Sequence, residues 1–176
     1  MKYLALLRGV NAGGKRRVPM AELRNLFEQM EFRDVTTYVN SGNLIFSART
    51  KPDTKNIQKT LEHHFGFAID TLIIDAKKFQ KIVAAIPGEW QNDYTEHKSD
   101  ACFLFPDVDS PDILERISPR PEFEDVRYVP GALLSYLPRK NQPKSALFRL
   151  ASTPLYKQMT VRNITTARKL AELLDT

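Results

Sequence analysis

The alternation of apolar and polar positions in the first half of the chain predicts four strands and two helices. The segment "KYLALLRGV" is apolar on both faces, which is typical of a central strand. A helix is predicted after Pro19, where apolar residues recur at helical spacing and the missing proline N–H needs no partner. The other predicted elements are strands "DVTTYV" and "NLIFSA", a helix in "PDTKNIQKTLEHHFG" and a strand in "FAIDTLIID".

The second half of the chain repeats this pattern more loosely. A linking helix in "KKFQKIVAAIP" is followed by the polar stretch "GEWQNDYTEHKSD", which is predicted to be a loop. The last helix, "NITTARKLAELL", has one apolar side and Asn163 as its N-cap. Between them the pattern predicts strand "ACFLFP", a short helix "SPDILERIS", strands "DVRYVPG" and "ALLSYLP", and helix "SALFRLAS".

The order of these elements predicts the fold class. Strand–helix–strand–strand–helix–strand is the ferredoxin-like order, and most of it recurs in the second half. We therefore predict an α+β protein of two tandem ferredoxin-like halves of βαββαβ type, packed as one body with an extra C-terminal helix. The predicted boundaries are residues 1–75 for the first half, 76–98 for a linking helix and acidic loop, and 99–176 for the second half with the C-terminal helix.

Charge is unevenly distributed along the 176 residues, whose net charge is +5. Residues 1–60 carry 11 basic and 5 acidic side chains, residues 61–125 carry 6 and 14, and residues 126–176 carry 9 and 2. If the two basic ends meet in space, they form a positive face suited to an anionic partner. The alternative is three solvated surfaces without a shared partner.

Cysteine content and the N-terminal sequence predict a cytoplasmic protein. The single cysteine, Cys102, lies in an apolar run and cannot form an internal disulfide, which fits a reducing compartment. The apolar stretch Tyr3–Leu7 is too short for a signal peptide core or a membrane span. We therefore expect a soluble cytosolic protein with no membrane partner.

The loop after the first predicted strand is the strongest candidate for a site. From Gly9 it reads G-x-x-x-x-G-K, but Arg16 stands where a phosphate-binding loop has the Mg²⁺-ligating Ser or Thr. The helix also begins near Pro19, four residues after Lys15, so a nucleoside triphosphatase is not favoured. A more general anion site fits better, because glycines and basic residues precede a helix N-terminus. The alternative is a glycine-rich surface turn with solvated basic side chains.

Three strings of the sequence resemble an uncharacterised bacterial family, DUF 1697. They are "LLRGVNAGGKRRVPMAELRNLF", "YVNSGNLIFSA" and "TVRNITTARKLAELL". The resemblance covers nearly the whole chain and implies an α+β fold of two ferredoxin-like halves, with no established activity. Its signature positions correspond to Arg8, Asn11, Gly13, Gly14, Lys15, Pro19, Tyr38, Ser41, Gly42, Asn43, Arg162 and Asn163.

This chain departs from the family pattern at two places. Glu31 replaces a common glycine before an aromatic residue, and "RNITT" from Arg162 replaces "RNWNT". The lost tryptophan and second asparagine weaken the expectation that this end of the chain makes a specific polar contact.

The sequence contains no pattern that identifies a reaction. Ser41 has no histidine tied to it by a known motif, and Ser-Gly-Asn is typical of a tight turn. His63 and His64 are adjacent and point about 100° apart on a helix. Glu96, His97 and Asp100 lack metal-ligand spacing. We predict no metal; the catalytic residues and cofactor stay unknown, and an enzyme of unknown reaction is a further alternative.

Nucleic acid is the main alternative ligand. A ferredoxin-like sheet resembles RNA-recognition modules, and Tyr3, Tyr38 and Phe46 lie on candidate strands. The aromatic-glycine motif of such modules is missing, so core positions are favoured for these rings. The basic ends of the chain still allow weak, electrostatic binding to phosphate backbones.

The sequence predicts one ligand-binding site. In a ferredoxin-like sheet the first and third strands are neighbours, so antiparallel pairing would bring the end of the first strand to the turn before the third. The turn and the loop would then form a pocket for a small anionic ligand that bears phosphate or carboxylate. The predicted ligand-binding residues are Arg8, Asn11, Gly13, Gly14, Lys15, Ser41, Asn43, Arg162 and Asn163. The alternative is that Arg8 and Asn43 only hold the loop in place through hydrogen bonds.

Overall fold

The structure, a computed structural model, describes residues 1–175. Close contacts divide the chain into two units, Met1–Phe79 with the last residues from Leu174, and Gln80–Leu173. Helix α3 (Ala76–Ala84) follows the last strand of the first unit. The preceding elements are β1 (Lys2–Leu7), α1 (Met20–Gln29), β2 (Arg33–Tyr38), β3 (Asn43–Ser47), α2 (Thr54–Phe65) and β4 (Thr71–Asp75).

The first sheet has the strand order β2-β3-β1-β4, with every neighbouring pair antiparallel. The central strand β1 pairs with β3 along one edge and with β4 along the other. This order confirms the predicted ferredoxin-like βαββαβ arrangement. It also brings the C-terminal end of β1 beside the N-terminal end of β3.

The core of the first unit lies on one face of this sheet. Alternate residues of β1 point to the same face, and Tyr3, Ala5 and Leu7 are buried there together with Phe46. The buried helix residues sit at the helical spacing seen in the sequence; they are Leu23, Leu26 and Phe27 of α1 and Ile57 and Leu61 of α2. Helix α2 is capped by Asp53, whose side chain accepts hydrogen bonds from two backbone N–H groups.

The second unit repeats the arrangement with the strand order β6-β7-β5-β8, again antiparallel. Short 3-10 helices occupy Pro106–Val108, Arg139–Lys144 and Pro154–Gln158. The regular elements are β5 (His97–Leu104), α4 (Ile113–Ile117), β6 (Asp125–Val129), β7 (Ala132–Pro138), α5 (Ala146–Leu150), β8 (Met159–Asn163) and α6 (Ile164–Asp175).

Two details of the second unit differ from the sequence interpretation. Strand β8 was not expected, because only two of its five residues are apolar and the alternation is too short to stand out. The predicted loop before "ACFLFP" is wrong for its last four residues, since β5 already begins at His97. Lys98 and Asp100 gave this stretch its polar character, and the two side chains form an ion pair of 2.8 Å within the strand.

The loop before β5 is organised by the carboxylate of Asp93. It accepts hydrogen bonds from the backbone N–H groups of Thr95 at 2.8 Å, Glu96 at 2.6 Å and His97 at 3.2 Å, and the His97 ring lies 3.2 Å away. The N–H groups, that of Glu96 foremost, hold the pKa of Asp93 well below its ordinary value of 3.8.

This lowered pKa predicts an acid-dependent loss of stability. The charged carboxylate stabilises the folded state above the ordinary pKa of 3.8, and the contribution is lost as the pH falls toward the lower folded value. The stability difference between the wild type and Asp93→Asn should therefore shrink between pH 5 and pH 2. Urea midpoints measured across this range test it, and two parallel curves would contradict it.

Candidate functional site

Three chain segments meet at the end of β1. Leu6 faces Asn43 in the β1–β3 register, and the N–H of Leu7 donates to the carbonyl of Gly42 at 2.9 Å. The N–H of Arg8 donates to the carbonyl of Asp70, just before β4, also at 2.9 Å. The loop 9–18, the β2–β3 turn and the segment before β4 therefore lie side by side.

The β2–β3 turn requires glycine at its last position. Gly42 has φ +75°, a left-handed conformation that side chains disfavour. A Cβ atom at this position would lie 2.8 Å from Cβ of Leu7 and 2.8 Å from Cγ2 of Val10. The turn therefore approaches the end of β1 more closely than any side chain at Gly42 would allow.

The loop 9–18 has an unusual backbone. Left-handed conformations of this kind occur in the backbone concavities that bind anions through successive N–H groups. Five residues between positions 9 and 16 have positive φ: Gly9, Asn11, Gly13, Gly14 and Arg16. A Cβ atom on Gly13 or Gly14 would meet nothing within 4 Å, so the backbone there is open to close approach.

The side chain of Asn11 closes the loop on itself. Its Nδ2 donates to the carbonyls of Val18 and Asn40, both at 2.9 Å, and its Oδ1 accepts from the N–H of Val18 at 2.8 Å. The two ends of the loop and the β2–β3 turn are thus joined through one amide group. Asn11 was predicted to offer donors to a ligand, but both of its N–H directions are used within the chain.

Arg16 fastens the other side of the loop. Its Nε donates to the carbonyl of Gly9 at 3.0 Å, and its Nη2 donates to the carbonyl of Ala68 at 2.5 Å. The guanidinium carbon also lies 4.7 Å from the ring centre of Phe67. Arg16 therefore connects the loop to the segment before β4 and is not available as a mobile cation.

The basic residues on either side of Arg16 behave differently. Lys15 and Arg17 are both exposed, and neither has a hydrogen-bond or ion-pair partner among residues 1–175. Arg8 is half-buried at the junction of the three segments. The sequence predicted Lys15 but not Arg17 as a site residue. Three consecutive basic residues do not reveal which of them makes hydrogen bonds within the folded chain.

The polar residues of the β2–β3 turn satisfy one another. Asn43 is fully buried, and its Nδ2 donates to the carbonyl of Tyr38 at 3.0 Å and to Oγ of Ser41 at 2.8 Å. Such an amide shapes the hairpin turn from within. This contact pattern supports a positioning role for Asn43 and Ser41 rather than direct contact with a ligand.

The two predicted site residues of the C-terminal segment lie on β8, in the second unit. Arg162 is buried, and its Nη1 donates to Oγ1 of Thr160 at 3.0 Å and to the carbonyl of Val161 at 2.8 Å. Burial lowers the pKa of Arg162 to about 10. Asn163 accepts the N–H of Thr166 at 2.8 Å, as an N-cap of α6 does. Their part in a site with Arg8 stays a prediction.

Two other reactive side chains are His64 and Cys102. His64 lies 3.5 Å from Glu22, and the thiol of Cys102 is buried, which raises its pKa well above the ordinary value. Among residues 1–175 no group of three His, Cys, Asp or Glu side chains is arranged to hold a metal. None of the helices described over that range has the length and hydropathy needed to cross a membrane.

Each of the two units contains cavities of its own. One of about 880 Å³ is at the end of the first sheet opposite the loop 9–18, lined by Met1, Arg33 and Ser47 among others. Two further cavities, of about 210 Å³ and 530 Å³, lie in the second unit. Arg8 and Lys15 are not among the lining residues of these three cavities.

Two four-stranded antiparallel sheets, each of βαββαβ type, define this molecule as an α+β protein with two ferredoxin-like halves. The chain belongs to the family described as "Protein of unknown function (DUF1697)", whose model matches residues 1–134. Its structure is similar to that of "conserved bacterial protein SP0830 from Streptococcus pneumoniae", with 25% sequence identity, a TM-score of 0.79 and 98% of each chain covered. No curated protein matches the chain significantly.

Proposed function

We propose that this protein binds a small anion, bearing phosphate or carboxylate, at the loop between β1 and α1. One observation carries the proposal: the loop is fixed from within by Asn11 and Arg16, while Lys15 and Arg17 are exposed without partners among residues 1–175. Cations held on an ordered loop bind an anion at a smaller entropic cost than cations on a mobile one.

The other residues of the site take different roles in this proposal. Arg8 supplies a guanidinium group at the junction of the three segments, where a planar fork suits phosphate or carboxylate. Gly13 and Gly14 let the ligand approach the backbone, because no Cβ atom covers the N–H groups there. Asn11, Ser41 and Asn43 hold the loop and turn in shape through their hydrogen bonds.

Arg162 and Asn163 complete the proposed set of ligand-binding residues. They enter it because they lie in the basic C-terminal segment of the sequence. The proposal includes no reaction and no cofactor, and it places the protein in the cytoplasm on account of its single buried cysteine.

A thermal-shift series tests the proposal directly. Sodium phosphate, pyrophosphate and citrate are each compared with sodium chloride at the same ionic strength. An anion at ten times a Kd of about 1 mM stabilises the folded state by about 1.4 kcal/mol, which raises the Tm by about 3–5 °C. Lys15→Ala and Arg17→Ala should each remove most of this shift, and Arg8→Ala should do the same.

Lys51→Ala is the matched control, because Lys51 is an exposed lysine at the opposite end of the same sheet. If it lowers the shift as much as Lys15→Ala, the effect is general charge screening and the proposal is wrong. A steeply salt-dependent binding of RNA or DNA without any shift by the small anions would favour the nucleic-acid alternative.

A further inference from the structure

A row of polar side chains crosses three strands of the second sheet. Asp100 on β5 faces Ser135 on β7 and Asn163 on β8, so the three side chains share one face. The next row on that face is apolar, because Cys102 lies opposite both Leu133 and Val161. The polar row therefore marks the edge of an otherwise apolar surface.

Two atoms of this row have unused hydrogen-bonding capacity. The Asp100 side chain is only 7% exposed and pairs with Lys98 through Oδ2 at 2.8 Å, while Oδ1 accepts no hydrogen bond from residues 1–175. Oγ of Ser135 is fully buried and also has no partner within the described chain. Buried polar atoms are rarely left unsatisfied, so Oδ1 of Asp100 indicates a place where a polar group is bound. Ser135 itself lines neither of the two cavities described next.

Two cavities meet at this row. The smaller, of about 210 Å³, is largely apolar and is lined by Leu137, Leu147, Phe148, Ala151 and Tyr156. The larger, of about 530 Å³, is polar and includes Arg139 and Asn163 in its lining. Both are also lined by Lys98, Asp100 and Val161, so the ion pair stands at the boundary between an apolar and a polar compartment.

Each cavity has an exposed aromatic ring at its wall. Tyr94, in the lining of the polar cavity, is 98% exposed, and Phe148, in the lining of the apolar one, is 55% exposed. Large hydrophobic side chains with this exposure are uncommon among residues 1–175; the others are Met1 and Val39. Aromatic rings that face solvent beside a cavity provide contact area for a ligand.

The charges of the polar cavity define which ligand fits. Asp93 is already saturated by backbone N–H groups, whereas the guanidinium of Arg139 makes one hydrogen bond within residues 1–175, from Nε to the carbonyl of Asp93. A ligand carboxylate can therefore bind Arg139 and Lys98. If Lys98 turns to such a carboxylate, however, Asp100 is left as an uncompensated buried charge, unless the ligand brings its own cation.

We infer that the second unit binds a zwitterion with one large apolar side chain, namely a free α-amino acid such as leucine or phenylalanine. The ammonium group of the ligand donates a hydrogen bond to Oδ1 of Asp100. Its carboxylate pairs with Arg139 and Lys98. The apolar side chain enters the 210 Å³ cavity, which exceeds the roughly 150 Å³ that hold a benzene ring in a protein core. The residues of this site lie in the second unit, whereas the loop 9–18 belongs to the first.

Calorimetric titration of the full-length protein with L-leucine tests the inference. Glycine should bind about thirtyfold more weakly, because it lacks the buried side-chain carbons. 4-Methylpentanoate lacks the ammonium group and 3-methylbutylamine lacks the carboxylate, so each should bind at least about tenfold more weakly than leucine. Equal affinity for leucine and 4-methylpentanoate, or no binding of leucine at 10 mM, would overturn the inference.

Variants locate the site independently of the ligand series. Asp100→Asn should weaken leucine binding about tenfold or more, since it removes the charge that receives the ammonium group. Ala151→Leu should abolish binding by filling the apolar cavity that residue 151 lines. Ala151→Ser, at the same exposed position, is its matched control. Retained binding in Ala151→Leu would contradict the assignment. Lys15→Ala should leave leucine binding unchanged, which separates this site from the loop.

Discussion

Replacing Gly42 with alanine should lower the free energy of unfolding by about 3 kcal/mol. Alanine at φ +75° costs about 1 kcal/mol because the left-handed conformation brings its Cβ close to the backbone. The new Cβ would also lie 2.8 Å from both Leu7 and Val10, and such overpacking adds about 2 kcal/mol. Urea denaturation followed by far-UV circular dichroism measures the sum.

Gly13→Ala is the matched control for this prediction. Gly13 has φ +64°, similar to that of Gly42, but a Cβ atom there meets nothing within 4 Å. It should therefore cost only the backbone contribution of about 1 kcal/mol. If the two variants were equally stable, the close approach between the turn and the end of β1 would not hold in solution.

Asn11→Ala should also destabilise the protein by about 3 kcal/mol. The substitution leaves the N–H of the buried Val18 and two carbonyls without the amide that joins them, which costs about 2 kcal/mol. Asparagine also tolerates φ +57° better than alanine does, which adds about 1 kcal/mol. The loss is measured by urea denaturation, as for Gly42→Ala.

Asn11→Gly separates the two contributions. Glycine removes the same hydrogen bonds but accepts the left-handed backbone, so the destabilisation should fall to about 2 kcal/mol. A role of Asn11 as a direct ligand donor predicts a different result: stability would be nearly unchanged in both variants, and only anion binding would be lost.

Many features of the first unit follow from the sequence alone. Apolar residues repeat at helical spacing in α1 and α2, and Gly66 marks the end of α2. These signals are local: each depends on residues only a few positions apart, and backbone geometry converts the spacing directly into a face or a cap. The ferredoxin-like order, and with it the meeting of β1 and β3, follows from the sequence of such elements.

Only the tertiary structure decided which polar side chains make hydrogen bonds within the chain and which remain exposed. Within "GGKRR" the charges are equivalent in the sequence, yet Arg16 is held by carbonyls of Gly9 and Ala68 while Lys15 and Arg17 are not. The partner carbonyl of Ala68 is 52 residues away along the chain. No local pattern contains that contact, so the sequence does not reveal which cation remains for a ligand.

In the second unit, the sequence reveals even less about which polar side chains are buried or paired. Asp100 looked like part of a solvated acidic loop, whereas it is buried in β5 between Ser135 and Asn163. Strand β8 carries a weak apolar pattern and exists because β5 supplies the backbone partners for it. The sequence by itself determined the family, the order of most elements and the helix faces, since these depend on local spacing. The tertiary structure decided which polar groups are buried, paired or exposed, because those properties depend on neighbours that are distant along the chain.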